Sequence, residues 1–202
     1  MPASRPALFL DRDGTIVEEV GHLRRPEDVR LIEGAAEVVA TANALGVPVI
    51  VVTNPSGIGR GLFGWAELIA VEDRIEGLLA ALGARLDAVL ACPFHRDGLP
   101  PYQHPDHPGR KPNPGLLLRA VTALAADLAG SWIIGDRAGD VAAGRAAGLA
   151  GGMHVTTGWG SEPGEREGAR ACAGEAYGVV EAASIAEAPD VLPLLAGERK
   201  GY

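Results

Sequence analysis

The sequence predicts a three-layer α/β sandwich on a mainly parallel sheet, for three reasons. Short apolar runs alternate with segments of helical periodicity, the rhythm of strand–helix–strand units. One run, residues 47–52, is apolar throughout and β-branched apart from Pro48, as a central strand covered on both faces requires. The 202 residues, 47% of them hydrophobic, suit one domain, 1–202, with a full core.

In chain order, residues 7–10 read as the first strand. A helix follows over 33–45 and stops at Gly46, a natural C′ residue. After the strand at 47–52, Leu68, Val71, Ile75, Leu78, Leu79 and Leu82 recur at three- and four-residue steps, the apolar stripe of a helix. Residues 88–90 make a third strand. Leu117, Val121, Leu124 and Leu128 mark another helix, followed by a strand at 132–134. Residues 138–147 read as a short Ala/Gly-rich helix ending at Gly148, and residues 153–155 and 178–180 as the last strands, the latter weaker. Two stretches carry no period: 92–114, rich in Pro, His and Gly, and the polar, glycine-rich 158–174. An unpatterned stretch as long as the first is usually functional or disordered.

A net charge of −8 argues against nucleic acid or an anionic membrane as partner, because neither is attracted over long range. Two distant cysteines, Cys92 and Cys172, make no disulfide framework and suit a reducing cytoplasm. The first apolar run is too short for a signal peptide or a bilayer span. The expectation is a soluble, cytoplasmic protein.

Chemistry concentrates at strand ends. The first strand runs into Asp11-Arg12-Asp13-Gly14-Thr15, at the sheet edge where parallel α/β folds place their sites. Neighbouring carboxylates there need a cation or a shared proton, and Mg²⁺ favours carboxylates with phosphate oxygens and waters; a solvated Asp-Gly turn is the plainer reading. The second strand ends in Thr53-Asn54-Pro55-Ser56-Gly57-Ile58-Gly59-Arg60-Gly61, a set of donors suited to a phosphoryl group or an ordinary glycine loop. Its spacing is not the dinucleotide G-x-G-x-x-G. Arg110-Lys111-Pro112 precedes the Leu117 helix; it is either helix punctuation or a phosphate-neutralising lysine. Asp136 directly follows the strand at 132–134, where it can complete a magnesium site, and Asp140 can equally cap a helix.

Together and in this order, D-x-D-G-T, T-N-x-S-G, R-K-P-x-P-G and G-D-x-x-x-D resemble the haloacid dehalogenase superfamily of aspartate-nucleophile phosphatases, across nearly the whole chain. More narrowly, the chain resembles the branch of D-glycero-D-manno-heptose 1,7-bisphosphate phosphatases and histidinol phosphatases. The resemblance implies a Rossmann-like fold without a large cap domain and a small sugar phosphate as substrate; a monomer is the expectation. It implies Asp11 as nucleophile, Asp13 as general acid/base, and Mg²⁺ held by the Asp11 and Asp136 carboxylates and the Asp13 carbonyl. Thr53, Asn54 and Lys111 would hold the phosphoryl group, while Arg110, Ser56, Arg60, Arg137 and the 19–22 segment, with Glu19 and His22, would contact the rest of the substrate.

Two regions depart from the branch. Pro55 replaces a glutamine. In the zinc loop, Cys92 persists, but Phe94 takes a histidine's place, and His107 and Gly109 replace two cysteines. Zn²⁺ accepts mixed N/S ligands, so Cys92, His95, His104 and His107 are chemically adequate ligands; the lost spacing favours a metal-free loop. The rivals are a histidinol-phosphate or other small-metabolite phosphatase, and a non-catalytic domain that binds a phosphorylated ligand. A dinucleotide oxidoreductase is disfavoured by the two acids where a pyrophosphate loop belongs.

Overall fold

All six expected strands form, and they lie in one sheet. The computed structural model describes residues 4–196; the ends of the expected 1–202 domain, 1–3 and 197–202, lie outside the described residues. The strands are β1 (Arg5–Leu10), β2 (Val49–Thr53), β3 (Ala88–Ala91), β4 (Ala126–Gly135), β5 (Gly151–Val155) and β6 (Gly178–Ala182). Their order is β3-β2-β1-β4-β5-β6, with every neighbouring pair parallel. The chain builds outward from β1 to β3, then crosses back to lay β4 on the other side of β1. Order therefore reverses at β1 and β4, and ligands of open α/β sheets bind at such a switch, beyond the carboxyl ends of the strands.

Side-chain alternation along each strand fills both faces. Leu8, Leu10, Val49, Val51 and Ile134 pack on one side, with α1 (Ala35–Ala44) and α3 (Trp65–Ala81). Ala7, Phe9, Ile50, Val52 and Ile133 pack on the other, against α4 (Gly115–Leu124) and α5 (Ala138–Ala147). The remaining helices are short: α2 (Ser56–Gly59), α6 (Glu165–Arg170) and α7 (Ala188–Val191). β2 begins one residue after Pro48, which has no N–H for the ladder, although its carbonyl accepts from the Leu8 N–H at 2.8 Å.

The structure corrects three expectations. Leu128 belongs to β4, not to a helix, because Ala125 adopts a left-handed conformation (φ 54°) that ends α4. α4 buries Leu116, Leu117 and Ala120, leaving Val121 and Leu124 at its exposed side. Residues 158–174 contain α6, and the glycine loop after β2 coils into α2. No helix among the described residues is long and apolar enough to cross a membrane.

Candidate active site

The switch point brings three strand ends together. Asp11 follows β1, and its N–H donates to the Ile134 carbonyl of β4 at 2.9 Å. Thr53 closes β2, and Asp136 follows β4 directly. Lys111 enters from the loop before α4. Its Nζ lies 2.6 Å from Asp11 Oδ1 and 2.7 Å from Asp140 Oδ1. Burial alone would lower the lysine pKa, but Asp11 and Asp140 outweigh it and hold the ammonium above its ordinary value. Asn54 fixes the lysine backbone from both sides: its Nδ2 donates to the Lys111 carbonyl at 3.1 Å, and its Oδ1 accepts the Lys111 N–H at 3.3 Å.

Asp11, Asp136 and Asp140 each bring a carboxylate oxygen within 4.8 Å of the other two. Asp140 does two jobs. Oδ1 pairs with Lys111, and Oδ2 accepts the Arg137 N–H at 3.0 Å at the start of α5. Asp136 Oδ2 accepts the Trp159 N–H at 2.7 Å. It is approached by Gly14 (φ +79°) and Gly158 (φ +55°), where any Cβ would stand 2.3 and 2.4 Å from that oxygen. These glycines let two backbone turns close on one carboxylate. Burial, then the charges of Asp11 and Asp140, push the Asp136 pKa up to about 8, although Trp159 N–H and Arg137 act the other way. Three carboxylates thus meet one ammonium. A hard divalent ion such as Mg²⁺, which takes oxygen ligands, fits this donor set, with Asp11 and Asp136 available to it and Asp140 committed elsewhere.

Asp13 stands apart from that cluster. Its carboxylate accepts from Arg12 Nε at 3.1 Å and Nη2 at 2.7 Å, while Arg12 Nη1 donates to Glu72 Oε1 of α3 at 2.8 Å. The sequence places Asp13 beside Asp11; the fold directs its side chain to a buried arginine instead.

A cavity of about 600 Å³ opens over these residues. Asp11, Asp13, Thr53, Asn54, Lys111 and Asp136 line it, and so do Glu19, His22, Ser56, Arg110 and Arg137. Burial and the Asp13 charge raise the Glu19 pKa, and burial lowers that of Arg110, whose Nη1 donates to the Phe94 carbonyl at 3.1 Å. Arg60 does not line the cavity; it is the exposed C-cap of α2. Arg12, Asp140, Trp159 and Glu165 line it without having been singled out as site residues. Asp140 was legible only as a helix cap. Trp159, over which the Arg137 guanidinium sits at 5.1 Å, lies in a polar loop with no period to flag it.

The residues weighed for zinc are held by local bonds. His95, His104 and His107 each accept through Nδ1 from the backbone N–H two residues on, at 3.0–3.1 Å. Cys92 Sγ lies 3.5 Å from His107 Nδ1, and the His107 ring stacks on Phe94 with centroids 3.8 Å apart. Among the described residues, the acidic and sulfur or imidazole groups that converge in threes are the aspartates alone.

A family model described as HAD-hydrolase-like matches residues 109–181. The D-glycero-beta-D-manno-heptose-1,7-bisphosphate 7-phosphatase of Mesorhizobium japonicum is 49% identical over 154 residues, covering 76% of this chain and 71% of that protein. The D-glycero-alpha-D-manno-heptose-1,7-bisphosphate 7-phosphatase of Burkholderia mallei is 40% identical over 144 residues, 71% of this chain and 76% of that protein. The crystal structure of D,D-heptose 1,7-bisphosphate phosphatase from B. bronchiseptica, complexed with magnesium and phosphate, superposes with a TM-score of 0.72 at 31% identity, over 90% of this chain and 96% of that one.

Proposed function

The chain belongs to the haloacid dehalogenase-like phosphatases, in the heptose 1,7-bisphosphate 7-phosphatase family, and we propose that it hydrolyses the 7-phosphate of a D-glycero-D-manno-heptose 1,7-bisphosphate through an aspartyl-phosphate intermediate. One observation carries this reading: Lys111 Nζ lies 2.6 Å from Asp11 Oδ1, with Asp136 converging on the same place, at the floor of an open cavity. A nucleophilic carboxylate, a cation for the phosphoryl oxygens and an acid for a metal are what such a transfer needs.

The Asp11 carboxylate attacks phosphorus in line, and the bond from phosphorus to the sugar oxygen breaks. Asp13 gives its proton to that departing oxygen, which leaves as the hydroxyl of the heptose monophosphate. Asp13 then takes a proton from water, and the water oxygen attacks the phosphorus of the aspartyl phosphate, freeing Asp11 and inorganic phosphate. Lys111, Thr53 and Asn54 hold the phosphoryl group, and Asn54 also keeps the lysine backbone in place. Asp11, Asp136 and the Asp13 carbonyl would hold a Mg²⁺ ion, which would supply positive charge to the phosphoryl oxygens. Glu19, His22, Ser56, Arg110 and Arg137 receive the sugar and its second phosphate; Arg60 has no part in this scheme. The enzyme acts in the cytoplasm as a monomeric single-domain protein on a soluble metabolite.

Phosphate release from both anomers of the heptose bisphosphate, histidinol phosphate and common hexose phosphates, with magnesium or with chelator, tests this reading. The expected preference for a heptose bisphosphate is at least about tenfold in kcat/KM, since a site built for a substrate's polar groups rejects analogues lacking them. Faster turnover of another ester would replace the substrate. No magnesium-dependent turnover of any of them would remove the activity.

A further inference from the structure

Helix α3 carries a buried stripe of Leu68, Val71, Ile75 and Leu79, and Glu72 sits within it, only 9% exposed. A carboxylate in such a place is costly unless a partner compensates it. Glu72 Oε1 accepts from Arg12 Nη1 at 2.8 Å, and among the described residues Oε2 has no hydrogen-bond partner. Arg12 is itself 2% exposed. Its guanidinium is planar and presents donors on fixed edges. One edge meets Glu72; the other, through Nε and Nη2, forks onto Asp13.

We propose that Glu72 is a positioning residue for proton transfer at Asp13, acting through Arg12. The proposal rests on the assignment of Asp13 as general acid/base. Glu72 approaches from a helix 60 residues away in sequence and anchors one edge of the guanidinium. Because the group is rigid, that anchor also fixes the plane in which the Asp13 carboxylate lies. The anchor is attached to packed core rather than to a loop, so the aspartate keeps its aim while the proton leaves toward the sugar oxygen and when it returns from water.

Leaving-group dependence tests it. The measured quantity is kcat/KM, which reports transfer of the phosphoryl group to Asp11, for the best sugar phosphate from the screen above and for p-nitrophenyl phosphate. The aryl oxide departs without needing a proton; the sugar oxygen does not. Glu72→Gln is expected to lower the sugar-phosphate value about tenfold, part of the ~10²–10⁴-fold that general acid catalysis supplies, and the aryl value by less than about twofold. Equal losses on both esters, or none on either, would overturn the proposal. Asp13→Asn, measured in parallel, should show the same asymmetry more strongly. If it shows none, the acid/base assignment fails and the proposal falls with it. If Asp13→Asn is asymmetric and Glu72→Gln is not, only the role of Glu72 is lost. In the Asp13→Asn background, Glu72→Gln should cost nothing further on the sugar phosphate; an additive loss would mean an unrelated structural effect. Thermal melting by circular dichroism checks folding. Should the glutamine variant not fold, Glu72→Asp, which keeps the charge and withdraws it by one methylene, replaces it with the same expected asymmetry.

Discussion

Arg12 and Lys111 are both buried cations held between a pair of carboxylates, Arg12 between Asp13 and Glu72, Lys111 between Asp11 and Asp140. The two groups part company at one residue. A third acid, Asp136, joins the lysine group, and among the described residues it makes no ion pair of its own. Around Arg12, two acids share a cation with five donors, and the arrangement can serve as a tether. Around Lys111, two acids share a point charge and a third stands close by, and burial together with the charges of Asp11 and Asp140 pushes the Asp136 pKa up to about 8. Surplus negative charge in a desolvated place is what a divalent cation and a phosphoryl group together can use.

The comparison predicts effects of descending size. Asp11→Asn, which removes the proposed nucleophile, should abolish turnover, and no acid-stable labelled phosphoenzyme should be trapped; a variant that still formed one would move the nucleophile elsewhere. Lys111→Gln keeps a hydrogen-bonding side chain but removes the ammonium. It should lower kcat by roughly 10²–10³-fold, the typical cost of losing one electrostatic contact to a transition state, as steady-state assays at saturating substrate would show.

The smallest effect concerns stability. In chelator-treated protein, native Asp136 holds its proton up to about pH 8, against 3.8 for the ordinary carboxyl. The native state therefore binds more protons than the unfolded chain between those values, and this group's contribution to stability declines as pH rises through that window. Asp136→Asn should remove the decline, leaving the variant more stable than wild type at pH 8. Urea midpoints at pH 5 and pH 8 measure this. Saturating magnesium should reverse the ranking, because only the wild type keeps both carboxylate ligands.

Much of the fold was legible because it is written in local periods. The α5 boundaries, 138–147 with Gly148 beyond, follow from an alanine-rich run and a residue free to adopt φ 80°. Asp11, Thr53 and Asp136 were legible as a set because each ends or follows an apolar run, and parallel strands present those ends at one rim. α4 was misread because Leu117, Val121 and Leu124 match a helical period as well as the face actually buried. The stripe that meets the sheet is Leu116, Leu117 and Ala120. Arg60 sits in the same motif as Thr53 and Asn54, yet the turn of α2 carries it out of the cavity.

The sequence alone determined the order of strands and helices along the chain and the rim where Asp11 and Asp136 lie, because both directly follow an apolar strand; Lys111 was marked only by its place before a helix. Only the tertiary structure decided that Asp13 turns to Arg12, that Glu72 reaches them from α3, and that Asp140 and Trp159 complete the surroundings of Lys111 and Asp136. Apart from the adjacent Asp13 and Arg12, those partners lie 23 to 60 residues apart. A period in the sequence records which side of a helix or strand is buried, and it carries no record of which distant side chain waits there.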